Sequence, residues 1–166
     1  MIVNIIAAVG KNLELGKDNK LIWNIKEDLK YFKEKTLGKT VVMGDNTYYS
    51  IGRLLPGRDN VILSLNDIEV DGALVLNDYK KVFSLDIDEV FIIGGATIYN
   101  LFLPYADNIY LTEIEDEDSS ADVYFPKFDT SLYDKEIIKK SKNEELEYSF
   151  VRYGKRLKYE NEMYNS

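Results

Sequence analysis

Short apolar runs rich in branched side chains recur along the chain at 2–9 (IVNIIAAV), 40–43 (TVVM), 60–65 (NVILSL), 73–76 (ALVL), 89–93 (EVFII) and 108–114 (NIYLTEI). Each has the length of a strand, and several are too continuous for a strand buried on one face only. Between them, segments at about 25–36, 46–52, 78–85 and 97–103 carry apolar residues at helical spacing. The alternation predicts an α/β fold with a largely parallel sheet covered on both faces. The last third changes character: 132–141 and 146–153 place Tyr, Ile, Phe and Val between polar residues, predicting antiparallel strands that close one edge. Beyond Lys158 the pattern predicts a frayed tail or the end of an edge strand. With no internal repeat and no linker, the 166 residues are read as one domain, 1–166.

Within the first predicted helix, Asn24 and Glu27 have the spacing of a capping box, which puts Ile25 in the first turn. Ile25, Asp28, Leu29 and Phe32 then fall at i, i+3, i+4 and i+7, so a carboxylate shares the inward face, while Lys26, Glu27, Lys30 and Lys33 mostly face outward. An ionised carboxylate on an apolar stripe is costly unless donors meet it, and a ligand is one source of donors. An exposed Asp28 that simply favours the positive end of the helix dipole fits the spacing equally well.

Gly94 and Gly95 follow the strand EVFII and precede ATIYNLF, whose Ile98, Leu101 and Phe102 have helical spacing. Bare backbone and free amides at such a turn suit a pyrophosphate. A second turn, VVMGDNTYYSIG, has Gly44 and Thr47 in the corresponding place. Tight connections alone would also use these glycines. GxGxxG is absent, which argues against an ordinary Rossmann dehydrogenase domain. Arg53 and Arg58 bracket the turn LLPG, where Pro56 and Gly57 suit the centre of a type II turn. Arginine's planar fork matches a carboxylate, and a surface role is equally compatible.

Composition narrows the chemistry. The chain has no histidine and no cysteine, which removes imidazole bases, thiolate nucleophiles, disulfides and the common zinc ligand sets, and no metal site is expected. A net charge of −8 opposes phosphate backbones, so nucleic acid is not an expected partner. No apolar stretch is long enough to span a bilayer, and MIVNIIAAVG lacks the basic start of a secretory signal, so no membrane association and a cytoplasmic location are expected. The acidic run EDED at 115–118, followed by SSAD, reads as a solvated loop.

In order along the chain, IIAAVG, LGKDNKLIWN, EDLKYFK, VVMG with NTYYSIGR, LPGR, NVILS, FIIGGATIY, LFLPYADNIYLTEI and ADVYFP resemble the dihydrofolate reductase family over residues 1–153. The resemblance implies a three-layer fold whose twisted, mostly parallel eight-stranded sheet carries an antiparallel C-terminal edge, with an adenosine-binding subdomain at about 39–88. It implies reduction of 7,8-dihydrofolate by NADPH, with Asp28 binding the pterin and favouring protonation at N5. Thr112 would support the same edge through water. Ile6, Ala8, Leu29, Phe32, Ile51, Ile93 and Tyr99 would line the pterin, benzoyl and nicotinamide sites. Arg58 would pair with the α-carboxylate of the substrate's glutamate, Arg53 being secondary. Leu15 to Trp23, including Gly16 and Asn19, match a mobile loop that closes over nicotinamide, with Leu21 packing near it and Trp23 ordering the pocket. The cofactor cradle would comprise Ala8, Gly44, Asp45, Asn46, Thr47, Gly94, Gly95, Ala96, Thr97 and Ile98, with Leu63, Ser64 and Leu65 near the adenosine. A monomer that also binds antifolate inhibitors is implied.

The chain departs from the family pattern in two places. Ile22 stands before Trp23 where proline is common, predicting a looser loop. Asp45 follows the VVMG glycine where a basic residue is common, Leu65 stands where a hydroxyl is common, and Thr97 where a basic residue sometimes occurs. NADPH remains the default, but an acidic side chain near a 2′-phosphate makes NADH more competitive, unless Lys39 or a lysine at 80–81 reaches that phosphate. Two other readings stay open on sequence: a riboflavin-pathway pyrimidine reductase of the same fold, and a nucleotide-binding module without catalysis.

Overall fold

A computed structural model describes residues 1–156; the expectation for the segment after Lys158 lies outside the described residues. In chain order the elements are β1 (Ile2–Val9), β2 (Glu14–Lys17), β3 (Lys20–Leu21), α1 (Lys26–Thr36), β4 (Thr40–Gly44), α2 (Asp45–Ile51), β5 (Asp59–Leu63), β6 (Ala73–Leu76), β7 (Glu89–Ile92), α3 (Ala96–Phe102), β8 (Asn108–Ile114), β9 (Val123–Tyr124), β10 (Tyr133–Lys142) and β11 (Glu147–Lys155). Eight strands form one sheet in the order β10-β11-β8-β1-β7-β4-β5-β6. β1 and β4 to β8 run parallel, while β11 pairs antiparallel with β8 and with β10.

Alternation along the central strands feeds both faces of the sheet. Val42 packs with Ile5, Val61 and Ile92 in one core cluster, while Val41 and Met43 pack with Ile6, Ile62 and Phe91 in the other. This two-sided burial is the physical source of the continuous apolar runs. Among the described residues no helix is long and apolar enough to cross a membrane.

A polar row crosses the sheet where β1, β7 and β8 begin. Asn4 on β1 is fully buried and donates to Glu89 on β7 at 2.8 Å. Asn108 on β8 donates to Asn4 at 2.9 Å, and Arg152 on β11 donates to Asn108 at 2.7 Å. Lys39, just ahead of β4, pairs with Glu89 at 3.1 Å.

Three local expectations are corrected. The capping box does not form: Ile25 is the buried N-cap residue, in extended conformation with no side-chain cap. Glu27 instead reaches β10 and β11, where Lys139 donates at 2.8 Å and Tyr148 at 2.7 Å, and Ser141 also donates. The helix expected at 78–85 is a 3-10 turn over Tyr79–Ser84, capped by Asp78, whose carboxylate accepts from the Lys80 amide at 2.9 Å. Val82 is its one buried residue, too little apolar surface to support a longer helix. The small sheet β3-β2-β9 was not expected from the pattern. Strands of two to four residues carry no readable period, and β2 and β3 turn through Asp18 and Asn19, both left-handed (φ 52° and 62°), as in a type I′ hairpin.

Candidate active site at the carboxyl ends of the strands

β1, β4, β5 and β7 finish together, followed or closed by Gly10, Gly44, Ser64 and Gly94. Open parallel sheets present their ligand crevices at these ends. Alongside them lies α1, whose Asp28 is half-buried and accepts from the Thr112 hydroxyl of β8 at 2.6 Å. Thr112 therefore meets Asp28 directly. Burial pushes the Asp28 carboxyl above the usual range, and the Thr112 bond offsets part of that. The apolar stripe around it is incompletely covered: Phe32 is half-buried and Leu29 is 51% exposed. Ile6 is buried on β1, Ala8 and Ile93 are half-buried, and Ile51 is exposed at the end of α2.

The two glycine turns abut. The Gly44 amide donates to the Gly94 carbonyl at 2.9 Å, and a Cβ on Gly95 would lie 3.6 Å from the Thr47 hydroxyl. Ala96, Thr97 and Ile98 open α3, and Asn46 and Thr47 lie in the first turn of α2. Tyr99 differs from a purely lining residue. It belongs to the main core cluster, and its buried hydroxyl donates to the Ile6 carbonyl at 2.8 Å, fastening α3 to β1.

Leu15 likewise packs into the core, whereas Leu21 is 66% exposed. Gly16 pairs with Val123 of β9, and the Asn19 carbonyl accepts from Ser50 on α2 at 3.0 Å. The loop at 115–118 is solvated at Glu115, Asp116 and Glu117, as expected, and it also anchors this segment. Asp116 accepts from the Trp23 indole at 2.9 Å, a bond that holds its carboxyl below the usual range. Glu14, 1% exposed, accepts from the amides of Asn12 at 2.7 Å and Asp118 at 2.6 Å. Lys17 reaches Ser120 at 2.8 Å, and the Asp18 amide reaches Asp122 at 3.0 Å. Buried carboxylates meet their hydrogen-bonding need here through backbone amides.

At the other end of α1, Arg58 donates to Thr36 Oγ1 at 3.1 Å and to the Pro56 carbonyl at 3.0 Å and 2.8 Å. Gly57 has φ 75°, as the expected type II turn requires. Burial, and after it the charge of the exposed Arg53, lowers the Arg58 pKa, so the turn does bring the two cations near one another.

Beyond α2, Ser64 donates to Asp45 at 2.7 Å and Asn66 to the same oxygen at 3.4 Å. A cavity of about 370 Å³ opens here between the ends of β5 and β6, lined by residues including Ser64, Leu65, Asn66 and Lys81. Leu63 is buried beneath it, Leu65 is 93% exposed, and Lys81 donates to Asn77 at 2.8 Å. Lys39 is not available to this cavity: its ion pair with Glu89 holds it at the opposite ends of the strands.

A family model described as dihydrofolate reductase matches residues 2–155. The chain belongs to the dihydrofolate reductase family. Among curated relatives, dihydrofolate reductase of Bacillus subtilis (strain 168) is 40% identical over 162 residues, covering 93% of this chain and 95% of that protein. Dihydrofolate reductase type 3 of Salmonella typhimurium is 44% identical over 131 residues, covering 77% and 80%. The solved structure of dihydrofolate reductase from Enterococcus faecalis, complexed with NADP(H) and RAB-propyl, superposes with a TM-score of 0.85 at 29% identity, covering 93% of this chain and 96% of that one.

In this dihydrofolate reductase-family chain, Gly10, Glu14 and Asn66 enter the surroundings of the site without having been singled out in the sequence, Asp116 joins them from the loop read only as solvated, and Lys81 lines the cavity as one of the lysines considered for a phosphate. Gly10 directly after a strand was the one available signal. Glu27, beside Asp28, supports the site from behind. Its three donors hold its pKa at about 2, against an ordinary 4.5, so its stabilisation is present above pH 4.5 and is lost as pH falls toward 2. The cluster is partly solvated, which limits its contribution to about 1 kcal/mol. Glu27→Gln is expected to lower the urea midpoint at pH 7 and to leave it unchanged near pH 2; an equal loss at both pH values would refute the ion-pair account.

Proposed function

We propose that the chain reduces 7,8-dihydrofolate to 5,6,7,8-tetrahydrofolate with NADPH as reductant. The observation that carries this reading is Asp28: a half-buried carboxylate held by Thr112 on a helix whose apolar neighbours Leu29 and Phe32 remain partly exposed. A planar heterocycle with adjacent ring and amino N–H groups would supply the paired donors such a carboxylate lacks. Asp28 holds the pterin edge, and its negative charge favours a proton from solvent settling on N5. The C6=N5 bond is thereby reduced by one hydride at C6 and one proton at N5. Ile6, Ala8, Leu29, Phe32, Ile51 and Ile93 exclude water around the ring. Arg58, already oriented by Thr36 and Pro56, meets the substrate's α-carboxylate, with Arg53 adding charge.

The residues present fit a dinucleotide. A side chain on Gly95 would fill the space in front of Thr47, so bare backbone there leaves room for pyrophosphate, whereas the space beside Gly94 is taken by the Tyr99 phenol. When bound, the dihydronicotinamide supplies the hydride. Leu15 to Trp23 cover that end, and the 39–88 segment acts as the adenosine-binding subdomain, its cavity beside Ser64 taking the adenosine. The matching proposals are a monomeric cytoplasmic enzyme and competition by antifolates for the Asp28 pocket.

Asp45 sets the cofactor preference. Its charge already occupies the Ser64 hydroxyl and the Asn66 amide, the donors available to a 2′-phosphate, and Lys81 is the cation on the cavity wall. A close like charge of this kind is worth roughly a factor of ten. Loss of absorbance at 340 nm with dihydrofolate tests the activity. Run with both cofactors, it should show NADH competitive with NADPH in the wild type, and Asp45→Asn should raise the NADPH to NADH ratio of kcat/KM about tenfold. A strong wild-type preference for NADPH would assign the 2′-phosphate to Lys81 instead.

A further inference from the structure

One polar atom on α1 is unused by the arrangement above. The Tyr31 hydroxyl is buried and has no hydrogen-bond partner among the described residues. Buried hydroxyls are nearly always paired, and phenylalanine would fill the same space without the cost.

Its surroundings point toward Asp28. Tyr31 lies one helical turn after Asp28, and helical side chains lean toward the helix N-terminus, which carries the phenol back to the level of the carboxylate. The Tyr31 ring packs at a tilt of 35° against Phe150, with centroids 4.4 Å apart. Phe150 is the cross-strand neighbour of Thr112, the residue that donates to Asp28. Burial, then the charges of Tyr110 and Asp28, raise the Tyr31 pKa to about 12, so at working pH the hydroxyl keeps its proton.

The other groups around this point are committed. Tyr99 on α3 donates to the Ile6 carbonyl, and Glu27 is taken by Lys139, Ser141 and Tyr148. The Lys35 ammonium lies over the rings of Tyr31 and Tyr110, at 5.8 Å and 4.6 Å from their centroids. Arg152, Glu89 and Glu136 act electrostatically on the neighbouring Tyr110.

We propose that the Tyr31 hydroxyl, through one bound water, is a positioning donor for Asp28, acting beside the direct donor Thr112. Tyr31 donates to the water, and the water donates to the carboxylate oxygen that Thr112 leaves free. No bond other than hydrogen bonds changes. The arrangement fixes the carboxylate plane for the pterin edge and lowers the cost of keeping Asp28 ionised in a half-buried place. The proposal rests on the reductase reading and deepens it.

Tyr31→Phe tests it with three readouts: the pH dependence of kcat/KM for dihydrofolate, the pH dependence of 2,4-diaminopyrimidine binding followed by Trp23 fluorescence, and Tm. Loss of a donor to the carboxylate should move the apparent pKa up by about half to one unit. Diaminopyrimidine affinity at neutral pH should fall about three- to tenfold with Tm little changed. If both pH profiles stay where they are and Tm rises, the hydroxyl is a mere orphan and the proposal is overturned. A wild type that binds diaminopyrimidine yet does not reduce dihydrofolate overturns the reductase reading, while the binding profile still decides the role of Tyr31.

Discussion

Replacing Asp28 by Asn is expected to lower kcat/KM for dihydrofolate by about 10²–10⁴ at neutral pH, the usual scale for losing a group that promotes proton transfer. Asparagine preserves the shape and can still accept from Thr112 through its carbonyl oxygen, so the loss isolates the charge. With that charge gone, N5 must be protonated by solvent alone, and the rate should rise as pH falls. The same substitution should stabilise the fold. The Asp28 pKa is raised in the folded state, chiefly by burial. A group of this kind contributes stability below its unfolded pKa and loses it as pH rises through the folded value, so at pH 7 its ionised form is a net cost. A higher Tm for Asp28→Asn at pH 7, with no gain near pH 3, is the expected result. Near-normal activity at neutral pH would remove Asp28 from its proposed role.

The second large effect is expected at Gly10, just after β1. A Cβ there would overlap the Trp23 ring, and would lie 2.7 Å from Glu14 Oε1 and 2.9 Å from the Asp116 carbonyl. None of the three neighbours is free to move. Glu14 is held by two amides, the Asp116 carbonyl accepts from the Lys11 amide at 2.9 Å, and Trp23 is bonded to the Asp116 carboxylate. Overpacking a site with fixed walls costs about 3 kcal/mol. Gly10→Ala should therefore lower the urea midpoint, raise KM for the dinucleotide, and shift the emission of Trp23, the chain's one tryptophan, toward longer wavelength. Unchanged emission together with an unchanged midpoint would show that the loop yields at no cost.

What was legible in the sequence had strong local causes. Central strands buried on both faces leave unbroken apolar runs, so β1, β4, β7 and β8 were found within a residue or two. Asp28 stood out because a carboxylate on an apolar stripe violates the helical pattern, and LLPGR because Pro and Gly prescribe a turn. The illegible parts depend on partners far away along the chain. Trp23 and Asp116 are 93 residues apart, and nothing around 115–118 distinguishes an anchoring carboxylate from a solvated one. Glu27 had the spacing of a cap but found better donors on a hairpin more than a hundred residues later. Lys39 was a plausible phosphate ligand only until the topology put it at the wrong end of the sheet. Family resemblance joined the pieces of the site, but contacts among its loops had to come from the folded chain.

The polar row of Glu89, Asn4, Asn108 and Arg152 gives the molecule a division of labour. Because these side chains interlock across four strands, sliding one strand by a residue would strand a buried amide or charge among apolar neighbours. Alignment of the sheet is thus secured at the ends remote from Asp28 and the glycine turns. Tyr99 and Gly10 still tie the opposite end together, but an exposed residue there such as Leu65 can be exchanged while the architecture beneath it stays in register.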